Sequence, residues 1–257
     1  MKKRMLSAIF LIILIIGITA CADKKDVDTV NGFKYAHDAG TGEITITAYL
    51  GKDVDVLIPK MIDEKNVTII AYNTFKDCQN IKTVTVPDSV KKIGTSAFSG
   101  CINLTDITLP NSIIEMDGFV FSNCENLTNI ILPESVTIIN QYLFNKCRSL
   151  SSITIPESVT RIENQAFANC ENLAYITIPE NVTYIGAGIF KGCKNLKTVN
   201  ILAKRENVEL YEITIEDIQI DPNKKYYGNP NDIHTYTDGE PVSAFDFCDA
   251  EIIWADS

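Results

Sequence analysis

The chain has 257 residues, of which 46% are hydrophobic and 22% are charged, so it is long and apolar enough to bury a substantial core. Its formal net charge is −10. This charge argues against nucleic acid as a partner, because a phosphate backbone is bound by clustered Lys and Arg.

The N-terminal segment, residues 1–20, has the parts of an export signal. Basic residues at 2–4 precede an apolar stretch at 6–17, which is shorter than the ~20 residues of a membrane-spanning helix. The sequence Ile-Thr-Ala-Cys follows and ends at Cys21. The segment resembles a bacterial lipoprotein signal, which implies lipidation of Cys21 and a membrane anchor. An ordinary secretory signal or an uncleaved anchor also fits, with the cysteine incidental. Residues 21–30 are polar and predict a tether.

Residues 31–66 precede an array of repeats and contain two short β-branched segments. These segments, near 43–49 and 54–58, predict strands. The open end of a repeat array exposes core residues and strand edges. We therefore expect residues 31–66 to form an N-terminal cap.

Residues 67–202 contain six consecutive units of 23 residues without gaps. A single unit of this size cannot bury its own apolar face, whereas stacked units bury a continuous core. The period therefore predicts a solenoid whose coils are about 4.7–4.9 Å apart, the spacing of paired strands. Each coil contributes one residue to an aromatic column, which consists of Phe75, Phe98, Phe121, Phe144, Phe167 and Phe190.

Each unit contains an L-x-x-I-x-I segment in which apolar and small polar residues alternate, as in a strand. Proline follows this segment in five units and ends the strand, because it cannot donate a ladder hydrogen bond. Two residues after each Phe, five units carry a residue that tolerates the left-handed backbone of a tight turn, and Lys146 is the exception. An Asn column before the Leu position predicts an amide ladder that binds turn backbone. The turn residues are Asp77, Gly100, Asn123, Asn169 and Gly192, and the Asn column includes Asn80, Asn103 and Asn126.

The pattern V-x-x-I-x-x-x-A-F-x-x-C-x-x-L-x-x-I-x-I-P-x-S resembles the BspA-like leucine-rich repeats over roughly residues 31–202. The resemblance implies a right-handed repeat solenoid of α/β type, mainly β, with one parallel sheet face, short helical turns and a cap at each end. It also implies display outside the cell and attachment to host matrix proteins or to other bacteria. Val120 and Leu143 replace the usual Ala. Leu202 replaces Pro, which predicts that the array ends there.

Residues 203–257 carry 13 acidic and four basic residues. An alternating stretch at 208–220 predicts one or two strands, and three prolines interrupt the sequence that follows. The last residues, which include Phe245, Ile252 and Trp254, are too apolar for a free tail. We expect a C-terminal cap or a small separate subdomain.

The sequence contains no motif for catalysis, for a cofactor or for a metal site, so we predict a protein that is not an enzyme and uses neither cofactor nor metal. A dyad of Cys248 and His234 would need a geometry that the sequence does not define. The repeat cysteines form no CxxC pair and lie in the apolar pattern, which predicts inert buried thiols. Disulfides between coils remain an alternative on distance alone. The repeat cysteines are Cys78, Cys101, Cys124, Cys147, Cys170 and Cys193.

Two groups of acidic residues offer calcium binding as an alternative to an ordinary solvated surface. The first group, in the tail, matches no calcium-binding loop. The second follows the strand-ending prolines, where stacking would bring carboxylates close together. We favour solvated surface acids in both cases. The two groups are Asp221, Asp232, Asp238, Glu240, Asp246 and Asp249, and Asp88, Glu134, Glu157 and Glu180.

The residues between the core positions of each L-x-x-I-x-I strand face outward and form our candidate ligand-binding surface. Most are small and polar, but Ile131 and Tyr175 are not. Exposed Tyr is a frequent anchor in protein interfaces, although single exposed apolar residues also occur without a function. The predicted ligand-binding residues are Thr108, Asn129, Ile131, Thr154, Tyr175 and Thr177.

Together these features predict an extracytoplasmic, surface-exposed leucine-rich-repeat protein, held to a membrane through Cys21, that binds a protein on a host or bacterial surface. The alternative is a structural or glycan-capturing lipoprotein of the cell envelope. Glycan capture would need an aromatic surface patch, for which the sequence offers Tyr175 and the pair Tyr226 and Tyr227.

Overall fold

The computed structural model describes residues 29–210 and 250–255. In these residues the chain winds as a mainly-β solenoid, with one 3₁₀ helix at Arg205–Asn207. The strands are β1 (Thr29–Val30), β2 (Phe33–His37), β3 (Ile44–Tyr49), β4 (Asp55–Leu57), β5 (Met61–Ile62), β6 (Lys65–Ile70), β7 (Thr83–Thr85), β8 (Lys92–Ile93), β9 (Asp106–Thr108), β10 (Glu115–Met116), β11 (Ile138–Ile139), β12 (Arg161–Ile162), β13 (Tyr175–Ile178), β14 (Tyr184–Ile185), β15 (Thr198–Ile201), β16 (Glu209–Leu210) and β17 (Glu251–Trp254).

The six sequence units form six coils, and the L-x-x-I-x-I segments pair in parallel in three separate groups. We call this arrangement the leucine ladder. It comprises β4, β7 and β9, then a parallel bridge between Ile131 and Thr154, then β13, β15 and β17. The register advances by one unit per coil, so that Thr83 pairs with Asp106 and Tyr175 pairs with Thr198. The predicted repeat solenoid with a parallel sheet is confirmed.

A second set of parallel strands, the valine ladder, follows the V-x-x-I segments. It comprises β3, β6, β8 and β10 in one sheet and β11, β12, β14 and β16 in another. The prediction of one parallel sheet face is therefore incomplete. Most of these strands have only two residues, which is too short for alternation of apolar and polar residues to mark them in the sequence.

Each coil turns at its Phe, and backbone hydrogen bonds at the turn run mainly to the next coil. The Phe75 N–H donates to the Ala97 carbonyl over 2.7 Å, and the Phe98 N–H donates to the Val120 carbonyl over 3.0 Å. Because these groups bond between coils, none of the six coils forms a helix, and tight turns replace the short helical turns that we expected.

The backbone adopts the left-handed conformation two residues after each Phe, as predicted, with φ between 60° and 76°. Lys146, the residue without an evident preference for this conformation, has φ of 62°. A second left-handed position lies two residues before each Phe, which the sequence did not reveal. We call these residues the outer-turn column. It consists of Asn73, Ser96, Phe119, Tyr142, Gln165 and Gly188, with φ between 52° and 62°.

The core lies between the ladders and the Phe turn. The six Phe side chains are fully buried, and their rings stack in sequence with centroids 4.8–5.9 Å apart. The predicted amide ladder is present in part. The Asn103 amide donates to the Gln79 carbonyl over 2.7 Å, and the Asn126 amide donates to the Asn103 side chain over 3.3 Å.

The two ends of the solenoid differ. At the first end, β1, β2 and β3 form an antiparallel arrangement, and β3 continues into the valine ladder by pairing in parallel with β6. The strands expected near 43–49 and 54–58 are β3 and β4.

Both ladders continue beyond Leu202, although we expected the array to end there. β16 pairs with β14, and β17 pairs with β15 at all four of its positions. The described parts of 203–257 therefore add a further coil. The sequence hides this coil because residues 211–250 separate its two strands, whereas residues 186–197 separate β14 from β15.

Candidate binding surface

All six predicted ligand-binding residues lie exposed on the outer face of the leucine ladder. Ile131 is 78% exposed and Tyr175 is 64% exposed, while the alternate residues of the same strands are buried. The alternation of the strand produces this arrangement, because successive side chains point to opposite sides of a sheet. Thr108, Asn129, Thr154 and Thr177 supply hydroxyl and amide groups around the two larger side chains.

The structure adds Leu57 and Ile253 to this face. The pairing of β4 with β7 places Leu57 in the same outward column as Thr108, and the pairing of β15 with β17 places Ile253 beside Asn200. Leu57 is 71% exposed. The phase of the L-x-x-I-x-I pattern at Ile58 and Pro59 would have identified Leu57, whereas nothing in the sequence period identifies Ile253.

Charged groups follow the edge of this face. Asp88 forms an ion pair with Lys60 at 2.8 Å, and hydrogen bonding to that ammonium lowers the pKa of Asp88. Glu134, Glu157 and Glu180 are exposed and form no ion pair among the described residues. No group of three His, Cys, Asp or Glu side chains in the described part of the chain is arranged to hold a metal ion.

The outer residues of the valine ladder, in contrast, contact one another. The Lys92 ammonium lies 2.6 Å from the Glu115 carboxylate and 3.4 Å from that of Asp117, and Glu115 is the first cause of the raised pKa of Lys92. Arg161 lies 3.9 Å above the ring centre of Tyr184. The charged groups around Lys92 and Arg161 are thus engaged with one another. On the leucine ladder, the Thr83 hydroxyl donates to Asp55, whereas the side chains of the six predicted residues form no hydrogen bond among the described residues.

Comparison with known proteins agrees with this repeat geometry. Residues 58–173 match the model of the BspA-type leucine-rich repeat region in six copies. A leucine-rich repeat protein of T. pallidum, known from its crystal structure, is 35% identical, with a TM-score of 0.65, and the match covers 67% of this chain and 81% of that protein. The chain belongs to the BspA-type leucine-rich-repeat family.

Two other bacterial structures are similar to this leucine-rich-repeat chain over a smaller share of their length. A leucine-rich cell surface protein from Faecalibacterium prausnitzii is 29% identical (TM-score 0.59), and the match covers 75% of this chain and 59% of that protein. A leucine-rich repeat protein from Bacteroides ovatus is 30% identical (TM-score 0.63), with coverage of 67% and 46%. No curated protein matches the chain.

The repeat cysteines of this leucine-rich-repeat protein are free thiols, and all but the half-buried Cys78 are buried. The sequence left disulfides between coils as an alternative, and the structure has free thiols at these positions instead. Each of the five buried thiols donates to the Phe carbonyl of the preceding coil, as Cys124 Sγ does to Phe98 over 3.2 Å. Burial raises the pKa of Cys101 to about 12. These thiols hold coils together and are unreactive at neutral pH.

One shallow depression of about 310 Å³ lies beside the first coils. Polar side chains line it, whereas most small-molecule sites are largely apolar. Its lining residues are Glu43, Lys60, Asn66, Thr68, Asp88, Ser89 and Lys91.

Several predicted features of this leucine-rich-repeat chain lie outside the described residues. They are the signal at 1–20, Cys21, the tail acids from Asp221 to Asp249, Tyr226 and Tyr227, and the pair His234 and Cys248. Among the described residues, none of the helical structure is long and apolar enough to cross a membrane.

Proposed function

We propose that this chain is a cell-surface binding protein that holds a protein partner on the outer face of its leucine ladder. The observation that carries the proposal is the strong exposure of Ile131 and Tyr175 on a face whose other predicted residues are Thr and Asn. They lie two coils apart and in columns two residues apart along the strand, so the strand spacing and rise place their Cα atoms about 12 Å from each other. Aromatic and aliphatic anchors surrounded by hydrogen-bonding groups are typical of the centre of a protein interface.

We further propose that the protein acts by binding and not by catalysis. The six predicted ligand-binding residues are Thr, Asn, Ile and Tyr side chains. Nucleophilic and acid–base catalysis usually rely on His, Cys, Lys or carboxylate groups placed within hydrogen-bonding reach of each other. Adhesion to host matrix proteins or to other bacteria is the form of binding that the family resemblance implies.

The binding face can be tested with purified residues 22–257 against immobilised fibronectin, laminin and collagen and against whole bacterial cells. We expect the variant Ile131→Ser/Tyr175→Ala to lose at least about tenfold in affinity for the partner that the wild type binds. The matched control is Tyr72→Ala/Ile114→Ser, whose residues are 72% and 64% exposed outside the leucine ladder. Equal binding by wild type and both variants, or an equal loss in the control, would contradict the proposal.

We also propose that lipid on Cys21 holds the protein at a membrane outside the cytoplasm. The resemblance of residues 1–21 to a lipoprotein signal supports this, as does the similar cell surface protein of F. prausnitzii. Two or more acyl chains give stable anchoring, whereas one gives marginal binding. We expect Cys21→Ser to move the protein from the membrane fraction to the soluble fraction, and Cys248→Ser to leave it in place. A wild-type protein without an N-terminal lipid by mass spectrometry would refute the anchor.

A further inference from the structure

The outer-turn column contains two aromatic residues in positions that bulky side chains rarely occupy. Phe119 and Tyr142 have φ of 62° and 56°, whereas the other coils use Asn, Ser, Gln or Gly at this position. A left-handed backbone is uncommon for residues other than Gly, and especially for bulky ones. Such conformations persist where the surrounding structure enforces them, and they are concentrated at binding sites.

The two rings form a half-buried pair on the surface of the turn. Their centroids are 4.6 Å apart and their planes differ by 13°, so they stack face to face across two coils. The neighbour of Phe119 in the same column is Ser96, whose side chain is too short to cover the ring. The face of Phe119 that is turned away from Tyr142 is therefore left without an aromatic neighbour in its column.

Two side-chain amides flank the aromatic pair. The Gln141 side chain lies beside Gly118 of the preceding coil, and Gln165 follows Tyr142 in the outer-turn column. Neither amide forms a side-chain hydrogen bond among the described residues. A carboxamide offers an acceptor oxygen and two N–H donors. The site thus combines an apolar ring surface with unused donors and acceptors on both sides.

Acidic side chains also lie near the aromatic pair along the turn. The nearest carboxylates along the turn are engaged by bases, because Lys92 lies 3.4 Å from Asp117 and Arg161 lies 3.0 Å from Glu163. The carboxylates of Asp117 and Glu163 therefore present no unpaired charge to the rings. A neutral ligand matches this environment better than an ionic one.

We propose that Phe119 and Tyr142, together with Gln141 and Gln165, form a binding site for a neutral carbohydrate. A pyranose ring presents a flat C–H face that can lie on an aromatic ring and a rim of hydroxyls that pairs with amides. A few well-placed polar groups around an apolar surface are the usual composition of a small-ligand site. This site does not depend on the leucine ladder, whose outer face is built from other residues of each coil.

The test uses an array of neutral and acidic oligosaccharides and purified residues 22–257. We expect the wild type to bind neutral glycans and Phe119→Asn/Tyr142→Asn to bind them at least about tenfold more weakly. Asn already occupies this position at Asn73 and tolerates the left-handed backbone, so this variant keeps the turn conformation, and its thermal unfolding is measured beside that of the wild type. The Gln141→Ala/Gln165→Ala variant, which leaves the backbone conformations unchanged, also weakens binding.

The matched control is Ile131→Ser/Tyr175→Ala, which retains glycan binding even where it loses a protein partner. Absence of neutral-glycan binding by the wild type overturns the inference, as does undiminished binding by the Gln141→Ala/Gln165→Ala and Phe119→Asn/Tyr142→Asn variants. If the Asn variant loses a protein partner and not a glycan, the aromatic pair belongs to a protein interface. If that variant unfolds, the Gln variant alone decides the outcome.

Discussion

Two positions of each coil, only two residues apart, differ in whether the same residue type recurs from coil to coil. At the inner position all six coils have Phe, fully buried and stacked on its neighbours. At the outer-turn column the same six coils have six different residues. An inner residue meets a copy of itself above and below, so one residue type that packs on itself suits every coil. An outer residue meets solvent, so its identity is free to serve a ligand.

The cysteine column shows the same uniformity inside the solenoid. Five thiols donate to five Phe carbonyls over 3.1–3.2 Å, and each bond joins a coil to the one before it. Each of these carbonyls also accepts the backbone N–H of the Cys in its own coil, as Phe98 does from Cys101 over 3.2 Å, so the thiol is its second donor. Burial of the sulfur atoms away from water also makes ionisation of the thiols unfavourable, and this raised pKa can be tested through the pH dependence of stability.

The largest expected effect is a loss of stability at alkaline pH that originates in the cysteine column. Burial raises the pKa of Cys101 to about 12 and holds those of Cys124, Cys147 and Cys170 well above the ordinary value of 9.0. Well below pH 9 these thiols are protonated in both states. Above it the unfolded chain releases protons that the folded chain retains. The free energy of unfolding therefore falls by about 1.4 kcal/mol per pH unit for each such thiol.

Urea unfolding at pH 8 and pH 10 measures this effect, and a cysteine variant separates it from the titration of Lys and Tyr. We expect the fall between the two pH values to be smaller by about 3 kcal/mol in Cys124→Ala/Cys147→Ala than in the wild type. The comparison uses the difference between pH values within each protein, so a general destabilisation by the substitutions cancels. An identical fall in both proteins would show that the inner thiols do not retain their protons.

The interior was predictable from the sequence because its columns repeat without gaps. The Phe, Cys and Leu positions recur every 23 residues, and all of them are buried in the structure except the half-buried Cys78. The left-handed turn after Phe was predictable for a related reason, since Asn, Asp and Gly are the residues that tolerate it. The outward positions of the leucine ladder followed from strand alternation alone, which placed Ile131 and Tyr175 correctly on the exposed face.

The features that the sequence did not reveal are strands too short to show a pattern, positions whose residue type differs from coil to coil, or strands that fall outside the repeat period. The strands of the valine ladder are mostly two residues long, so they show no alternation. The outer-turn column has no common residue type, so neither its left-handed backbone nor the contact of Phe119 with Tyr142 could be inferred. β17 is separated from β16 by a stretch much longer than one repeat, which removes the period on which the prediction depended.

The smallest expected effect concerns Lys146, where the turn after Phe uses a residue that suits it poorly. Its neighbours in the column are Asn123 and Asn169, and all three have φ between 60° and 64°. A Lys side chain makes this conformation unfavourable, whereas Asn adopts it more readily. We expect Lys146→Asn to raise the free energy of unfolding by about 0.5 kcal/mol in urea titrations. The control Lys76→Asn, at an exposed position without a left-handed backbone, gives no gain. If Lys146→Asn destabilises the protein, the Lys side chain has a stabilising contact that outweighs its backbone conformation, and the outer surface is less tolerant of substitution than the comparison of the two columns indicates.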